Sequence, residues 1–299
     1  MRLVRSLSAA AVLAAGVVAG SLAASSFHTN AAAPTAVEVP HRYFPHPAPA
    51  STDPITFHGG AVMSGTSHLY IIWYGPWTSA AQTARRSLLT EFVQHLDGPW
   101  WAINKGYTGK AGAAIGDAPV LTKELIDKGS AGVSQLTDSA ITKVVQRALT
   151  RKQLPVDAKG IYLVLTSSSV SKVGFLTQYC GWHSWFPKGK VAVKYSFVGD
   201  PSGPMLKNCA AQSVSPNGDV AGDAMASTIA HELTETVTDP TMKGWRTARG
   251  EENADRCAWQ YGKVHTLPSG AFANMTLGSR EWLIQLNWVN DSSPHCGLS

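Results

Sequence analysis

The sequence lacks the motifs of several common classes of enzyme and binding protein. It contains no Gly-x-Ser-x-Gly nucleophile elbow and no glycine-rich phosphate-binding loop, so serine-hydrolase and nucleotide chemistry are unsupported. It has no Lys/Arg run interleaved with aromatic residues, and its formal charge of +5 is too modest to indicate a nucleic-acid partner. Beyond the N-terminal region, no apolar run is long enough to cross a bilayer. The chemistry must therefore be sought in other patterns.

Cysteine is scarce, and its spacing excludes one kind of metal site. The four cysteines are Cys180, Cys209, Cys257 and Cys296, and no two of them form a Cys-x-x-Cys pair. A cysteine-ligated zinc site is therefore disfavoured. An even number of cysteines in an exported chain indicates disulfides. Three pairings are possible and the sequence alone does not choose among them; Cys180–Cys209 and Cys257–Cys296 are favoured as the nearer partners along the chain.

The N-terminus has the three regions of a secretory signal peptide. Arg2 and Arg5 precede an apolar run from Ala9 to Ala24, and small residues follow up to Ala33. We expect a signal peptide over 1–33, cleaved after Ala33, and hence a secreted protein with no transmembrane segment after cleavage. The proline-rich stretch 34–56 is predicted to be an extended, exposed leader. Residues 57–299 are predicted to form a single α/β domain.

Hydrophobic patterns in that domain predict strands that alternate with helices. The predicted strands are 68–74, a short one from Val120, 160–166, 191–198 and 282–288. The predicted helices are about 79–96, 137–149 and 223–238. This order predicts an α/β (α+β) fold with a mixed sheet flanked by helices and a loop-rich C-terminal lobe. Zincin hydrolases are built in a similar way, which makes a zincin-like fold the specific expectation.

The most informative segment is His231-Glu232-Leu233-Thr234-Glu235, within the last predicted helix. Residues four apart stack on one helix face, so His231 and Glu235 could grip one cation while Glu232 activates a water. Asp223 is the predicted N-cap, and Pro240 prevents the helix from continuing. On a helical wheel the acidic positions lie away from the apolar arc. The alternative is an ordinary surface helix whose acidic side faces solvent.

Several segments together resemble the phosphate-induced protein 1 (EXORDIUM-like) family, especially its bacterial and fungal members. The matching segments are His58–Gly60, Ile71–Gly75, Tyr179–His183, Ser215–Asp219, His231–Pro240 and Gly250–Trp259. The resemblance spans roughly residues 57 to 296. The resemblance implies a secreted protein with disulfides. The plant members of the family resemble extracellular, wall-associated growth-signalling proteins without established catalysis.

A complete metal site needs a third ligand beside His231 and Glu235. By analogy with gluzincin enzymes, which take this ligand from a downstream acidic segment, Glu252 is assigned as ligand and Asp255 as the acceptor that orients His231. The reverse assignment is nearly as good, and Asp239 is a further candidate for ligand or support. The alternative is that 251–255 is an acidic surface turn.

Zinc is the expected cation, with Glu232 as the general base. One histidine and two carboxylates also tolerate manganese or calcium, because oxygen ligands are harder than imidazole. His183 is a second catalytic candidate that could polarise a substrate carbonyl, although a structural role is favoured because the resembling plant segments share this histidine. Two functions follow: a secreted zinc peptidase acting on a peptide or protein, or a non-catalytic extracellular protein that binds cell-wall glycan.

Overall fold

The computed structural model describes residues 37–38 and 53–299. The predicted signal peptide over 1–33 and most of the predicted leader over 34–56 lie outside these residues. Within the leader, Val37–Glu38 forms a short strand that pairs antiparallel with Lys263 and Val264. Ile55 is buried in the core. Packed structure therefore already includes residues ahead of the predicted domain start at residue 57.

The described chain contains the following elements. The helices are α1 (Ala80–Gln94), α2 (Pro99–Ala102), α3 (Asp138–Thr150) and α4 (Val220–Thr238). The strands are β1 (Val37–Glu38), β2 (Thr56–Phe57), β3 (His68–Tyr74), β4 (Val120–Asp127), β5 (Gly160–Thr166), β6 (Gly181–Lys188), β7 (Val191–Gly199), β8 (Trp245–Arg246), β9 (Lys263–Thr266), β10 (Phe272–Ala273), β11 (Met275–Leu277), β12 (Arg280–Trp282), β13 (Asn287–Val289) and β14 (His295–Gly297).

A five-stranded mixed sheet, in the order β4-β3-β5-β7-β6, forms the centre of the fold. Neighbouring strands among β4, β3, β5 and β7 run parallel, and only the edge strand β6 runs antiparallel, against β7. Every residue of β5 is buried, as expected of a continuous apolar strand covered on both faces. The predicted mixed sheet flanked by helices is confirmed.

Alternating residues of the central strands divide the core into two layers. On β3, Leu69, Ile71 and Trp73 pack in the cluster that includes apolar residues of α1 and α4. Tyr70, Ile72 and Tyr74 of the same strand pack in the cluster that contains the buried face of α3. This division follows from the two-residue period of a strand. Helices therefore cover both faces of the sheet, and α4 lies on the same face as α1.

Several predicted elements agree closely with the structure, one predicted strand is wrong, and one observed strand was not predicted. The strands predicted at 68–74 and 160–166 are β3 and β5. Strand β6 was not predicted, because Gly-Trp-His-Ser-Trp-Phe-Pro-Lys shows no two-residue alternation. The predicted strand 282–288 is wrong: β12 ends at Trp282 and β13 begins at Asn287. The apolar residues between them are buried core side chains outside any strand.

The region after α4 is rich in loops and contains only short strands, as predicted. These strands form small antiparallel pairs, for example β11 with β12 and β13 with β14. The disulfides join Cys180 to Cys209 and Cys257 to Cys296, which confirms the favoured pairing. Disulfides of this kind are typical of exported proteins. Within the described part of the chain, no helix is long and apolar enough to span a membrane.

Candidate metal centre

Helix α4 carries the motif, and its N-terminus differs from the predicted one. The N-cap is Asp219, whose side chain accepts a hydrogen bond from the backbone N–H of Gly222 at 3.0 Å. The prediction of Asp223 as N-cap is therefore wrong. Asp223 lies in the first helical turn, where Ser215 and Asn217 donate hydrogen bonds to its carboxylate. At its other end the helix stops at Thr238, just before Asp239 and Pro240.

The acidic side of α4 is buried, which excludes the surface-helix alternative. Glu232 and Glu235 are each only 4 % exposed. Helix α4 packs against β6 and β7, and the segment containing Glu252 and Asp255 lies against the same side. The predicted apolar arc is confirmed, but the opposite side faces protein rather than water.

The first ligand group consists of His231, Glu235 and Asp255. His231 Nε2 lies 3.0 Å from Glu235 Oε1 and 3.5 Å from Asp255 Oδ1. The three ligand-type atoms lie within 4.8 Å of one another. Tetrahedral zinc with bonds of about 2.0–2.1 Å separates its ligand atoms by roughly 3.3–3.4 Å, so these spacings suit one small cation. We call this set the outer group.

A second group, His183, Glu235 and Glu252, lies behind the first. His183 Nε2 is 2.8 Å from Glu252 Oε2 and 3.8 Å from Glu235 Oε2. All three residues are buried. We call this set the inner group. It shares Glu235 with the outer group, and Glu252, the predicted third ligand of His231, belongs here instead of facing His231.

Asp239 lies close to both groups but is a member of neither. Its Oδ1 accepts hydrogen bonds from the backbone N–H groups of Lys243 and Gly244, at 2.5 and 2.6 Å. Its other carboxylate oxygen is buried and has no hydrogen-bond partner among residues 37–38 and 53–299. The role predicted for Asp239 as support is compatible with this position, because its charge acts on Glu252.

Glu232 faces the entrance to the outer group. One of its oxygens is buried and has no hydrogen-bond partner in the described part of the chain. Burial raises the pKa of Glu232 to about 8, and the positive charge of His231 offsets this only in part. Gly181 of β6 passes directly over it: a Cβ there would lie 2.9 Å from Glu232 Oε1. The absence of a side chain at Gly181 leaves room for the carboxylate.

The two histidines respond to the surrounding carboxylates. Burial acts to lower the pKa of His183, but the charge of Glu252 outweighs it and raises this pKa to about 9. Burial likewise opposes protonation of His231, yet Glu235 and Asp255 raise its pKa well above the usual value. Burial raises the pKa of Glu252 to about 8. Without a metal, both groups therefore bind protons tightly.

A cleft of about 210 Å³ gives access to the outer group. His231, Glu232 and Asp255 line it, whereas His183, Glu235 and Glu252 do not. Its walls include Tyr179, Gly181, Trp259, Tyr261 and the Cys180–Cys209 disulfide. The outer group is thus accessible to a substrate and the inner group is not. His183, predicted as a catalytic residue, belongs to the closed side.

The donor set of the outer group fits a divalent cation, with one condition on Gln285. Gln285 Oε1 accepts from the backbone N–H of Trp259, and its Nε2 donates to the carbonyl of Ala254 at 2.8 Å. The same amide nitrogen of Gln285 lies 3.1 Å from Nδ1 of His231. In the neutral imidazole this contact makes Nδ1 the acceptor, and Nε2 of His231 then carries the proton. Loading a cation on His231 Nε2 requires that proton to leave. A Gln285 amide turned to present its oxygen would then accept a hydrogen bond from the N–H at Nδ1 of His231.

The sequence predicted the residues of both groups, but not which of them belong to the outer group and which to the inner group. It grouped His231, Glu235 and the 250s segment, and it singled out His183. It did not predict the pairing of His183 with Glu252, 69 residues apart, or the role of Gln285 beside His231. No local pattern marks Gln285, since it lies in the loop between β12 and β13.

Comparison with known proteins places the chain in a family. Residues 55–276 match the phosphate-induced protein 1 conserved region. The chain is 29 % identical to Protein EXORDIUM-like 3 of Arabidopsis thaliana over 273 residues, 78 % of this chain and 80 % of the relative. It is 26 % identical to Protein EXORDIUM of Arabidopsis thaliana, over 77 % of this chain and 84 % of the relative. It is also 26 % identical to Protein PHOSPHATE-INDUCED 1 of Nicotiana tabacum, over 70 % of this chain and 73 % of the relative. Because the conserved region covers well over half of its length, this chain belongs to the phosphate-induced protein 1 family.

Proposed function

We propose that this protein is a secreted, metal-dependent hydrolase that acts on peptides or proteins. The observation that carries the proposal is the convergence of His231, Glu235 and Asp255, of which His231 and Asp255 line an open cleft together with Glu232. Two disulfides support an extracellular location. We further infer that the chain represents a bacterial or fungal branch of the family with a zincin-like motif; its modest identity to the plant relatives supports this separation.

Each residue of the outer group has a distinct role in this proposal. His231, Glu235 and Asp255 would hold the cation, so Asp255 takes the ligand role first given to Glu252. A divalent ion at this position supplies Lewis-acid chemistry, which makes a water easier to deprotonate and polarises a carbonyl. Zinc is the expected ion, and the two carboxylates also admit manganese or calcium.

Glu232 would act as the general base. Glu232 lines the cleft, and one of its oxygens has no hydrogen-bond partner among the described residues, so its carboxylate is available to accept a proton from a water that attacks a bound substrate. Its raised pKa also allows the protonated carboxyl to return that proton to a leaving amine near neutral pH. The closed inner group would hold Glu235 from behind through His183.

The aromatic residues Tyr179, Trp259 and Tyr261 support a second candidate function. They lie on the walls of the cleft, where aromatic faces suit either a hydrophobic peptide side chain or a sugar ring. A non-catalytic protein that binds cell-wall glycan would use the same surface. Retention of the purified protein on insoluble wall polysaccharide, combined with no hydrolysis of any peptide, would favour this function over the first.

The decisive experiment combines metal analysis with hydrolysis assays on the purified protein. Wild type should contain a divalent metal and cleave members of a mixed fluorogenic peptide library or casein. Glu232→Gln should keep the metal and lose at least about 10²-fold in rate, because only the base is removed. Asp255→Asn should lose both. Asp117→Asn is the matched control, since Asp117 pairs with Lys105 on the surface. A metal-free wild type with an equally active Glu232→Gln variant would overturn the proposal.

A further inference from the structure

Glu235 presents its two carboxylate oxygens to different partners. Its Oε1 lies 3.0 Å from His231 Nε2 and accepts a hydrogen bond from the backbone N–H of Asp255, also at 3.0 Å. Its Oε2 points to the other side, toward His183 Nε2 at 3.8 Å. A carboxylate oriented in this way can bridge two positive centres.

The buried charges around Glu235 do not balance. Four buried carboxylates (Glu232, Glu235, Asp239 and Glu252) and the half-exposed Asp255 lie in this region. In the described part of the chain, the ion pairs of this set are those of Glu235, Glu252 and Asp255 with His183 and His231. With all five carboxylates ionised and both imidazoles protonated, the cluster has a formal charge of −3, and in the metal-free protein protons bound to Glu232 and Glu252 offset part of it. An uncompensated charge of this size is costly in a protein interior. One divalent ion on neutral imidazoles leaves the same −3, whereas two leave −1.

Unpartnered oxygens also point to a missing cation on the inner side. Glu252 is 7 % exposed, and its Oε1 has no hydrogen-bond partner among the described residues. The same is true of one oxygen of Glu232, whose charge interacts with both His183 and His231. Buried carboxylate oxygens without donors are rare in folded proteins, and a metal ion is one of the partners that satisfies them.

We propose that His183, Glu235 and Glu252 hold a second divalent cation behind the first, with Glu235 bridging the two. Adjacent ligands of an octahedral ion with bonds of about 2.0–2.1 Å lie roughly 2.9 Å apart, close to the 2.8 Å between His183 Nε2 and Glu252 Oε2. The second spacing, 3.8 Å between His183 Nε2 and Glu235 Oε2, is also short enough for both atoms to bind one small cation. The harder oxygen ligands of the inner group make Mn²⁺ a candidate beside Zn²⁺. Two-metal centres bridged by a carboxylate typically have ions about 3.5–4 Å apart.

This inference goes beyond the proposed function, because it does not require Glu232 to act as a base. The closed position of the inner group gives its cation a supporting role: it would fix Glu235 and compensate the charge behind the cleft. In the absence of such a cation, His183 and Glu252 form a hydrogen-bonded ion pair that performs part of this role. The two arrangements differ in metal content and can be separated by experiment.

The test is metal stoichiometry of the full chain after reconstitution with Zn²⁺ and Mn²⁺. Wild type should bind two ions per chain, and Glu252→Gln should bind one. Adding Asp255→Asn to that variant should remove the remaining ion. Asp117→Asn should retain two. A single ion in wild type, lost in Asp255→Asn and unaffected by Glu252→Gln, would overturn the second site while leaving the proposed function in place.

The opposite result in these variants distinguishes the inner metal site from the proposed catalytic site. A single ion lost in Glu252→Gln and kept in Asp255→Asn would support the inner site and overturn the proposed catalytic one. No bound ion would overturn both. If Glu252→Gln fails to fold, anomalous diffraction from wild-type crystals soaked in Mn²⁺ answers the same question. Two peaks flanking Glu235 support the proposal, and a single peak between His231 and Asp255 contradicts it.

Discussion

The amide nitrogen of Gln285 lies 3.1 Å from Nδ1 of His231, and this contact sets which ring nitrogen carries the proton. Because the same nitrogen also donates to the Ala254 carbonyl, while Oε1 receives the N–H of Trp259, the orientation of the amide is fixed from three sides. His231 therefore presents a protonated Nε2 to Glu235 and Asp255. This protonation suits the metal-free state and opposes metal binding.

Gln285→Glu should strengthen divalent-metal binding. A carboxylate accepts the proton of His231 Nδ1 and so favours a free Nε2 lone pair; such outer partners typically change metal affinity about 10–100-fold. Without metal, the variant should be less stable than wild type, because a negative charge then faces the Ala254 carbonyl. Zn²⁺ titration calorimetry and melting curves with and without chelator measure both effects. Gln82→Glu, on the exposed start of α1, is the control for the added charge. Unchanged or weaker Zn²⁺ affinity would contradict this role of Gln285.

Stability of the metal-free protein should fall as pH rises. The pKa of His183 is raised from 6.5 to about 9, and the pKa values of Glu232 and Glu252 from 4.5 to about 8. The folded chain thus holds more protons than the unfolded chain between about pH 4.5 and 9, so the free energy of unfolding decreases across this window. The lowered pKa of Asp255 acts in the opposite sense only near and below its ordinary value of 3.8. Burial lowers the pKa of Lys194 from 10.5 to about 8, which opposes the decrease only above about pH 8.

Urea denaturation with chelator at pH 5, 7 and 9 tests this dependence. The midpoint should be lowest at pH 9. Added Zn²⁺ should stabilise the protein more at pH 8 than at pH 5, because it replaces protons that are bound less tightly at the higher pH. A metal-free protein whose stability rises from pH 5 to 8 would be inconsistent with the buried cluster.

Asp219→Ala should destabilise the protein strongly. Arg85 donates to both oxygens of Asp219 at 2.7 Å, and its Nη1 also pairs with Asp200 at 2.5 Å. Removing Asp219 takes away the N-cap of α4 and one partner of a buried guanidinium, with an expected loss of roughly 3 kcal/mol or more. Asp219→Asn keeps a capping oxygen and should lose clearly less. Equal midpoints for the two variants in chemical denaturation would show that the charge does not contribute.

Gly181→Ala should impair hydrolysis and also destabilise the fold. The new Cβ would lie 2.7 Å from Thr228 Cγ2 and 2.9 Å from both Glu232 Oε1 and the backbone oxygen of Phe197, so Glu232 and the local pairing of β6 with β7 must shift. A displacement of about 1 Å in a reacting group can cost about 10²-fold in rate. Gly106→Ala is the control, because a Cβ there meets nothing closer than 4.0 Å. The comparison of rates at equal metal content measures the effect, and an unchanged rate in Gly181→Ala would argue against Glu232 as the base.

The fold was predictable where burial leaves a continuous pattern. Strand β5, covered on both faces, is an uninterrupted apolar run, and its limits could be read from the sequence. Strand β6 shows no such pattern. On one of its faces His183 contacts Glu235 and Glu252, and on the other face Trp182 packs on Phe197. Its pairing with β7 depends on the tertiary fold, which local propensity does not encode.

The site was predictable in its membership but not in its arrangement. The four-residue spacing of His231 and Glu235 depends only on helix geometry, so their contact could be expected. Whether Glu252 or Asp255 faces His231 depends on the path of an irregular segment, which also ends in a short 3₁₀ turn at Asp255–Cys257. Spacing rules do not determine such a path. The choice could be made only from coordinates.

Each disulfide has one cysteine beside a segment of the candidate centre. Cys180 directly precedes β6, and Cys257 follows Asp255 by two residues. The disulfides thereby crosslink the edge strand β6 and the acidic segment 251–255 to distant parts of the chain. In a reducing cytosol neither disulfide would form, and the mutual repulsion of the carboxylates in the centre would be opposed by fewer constraints. We therefore expect nascent chains to be inert before export, with the centre maturing only once oxidation has occurred outside the cell. Such timing would protect the producing cell from the proposed hydrolase activity.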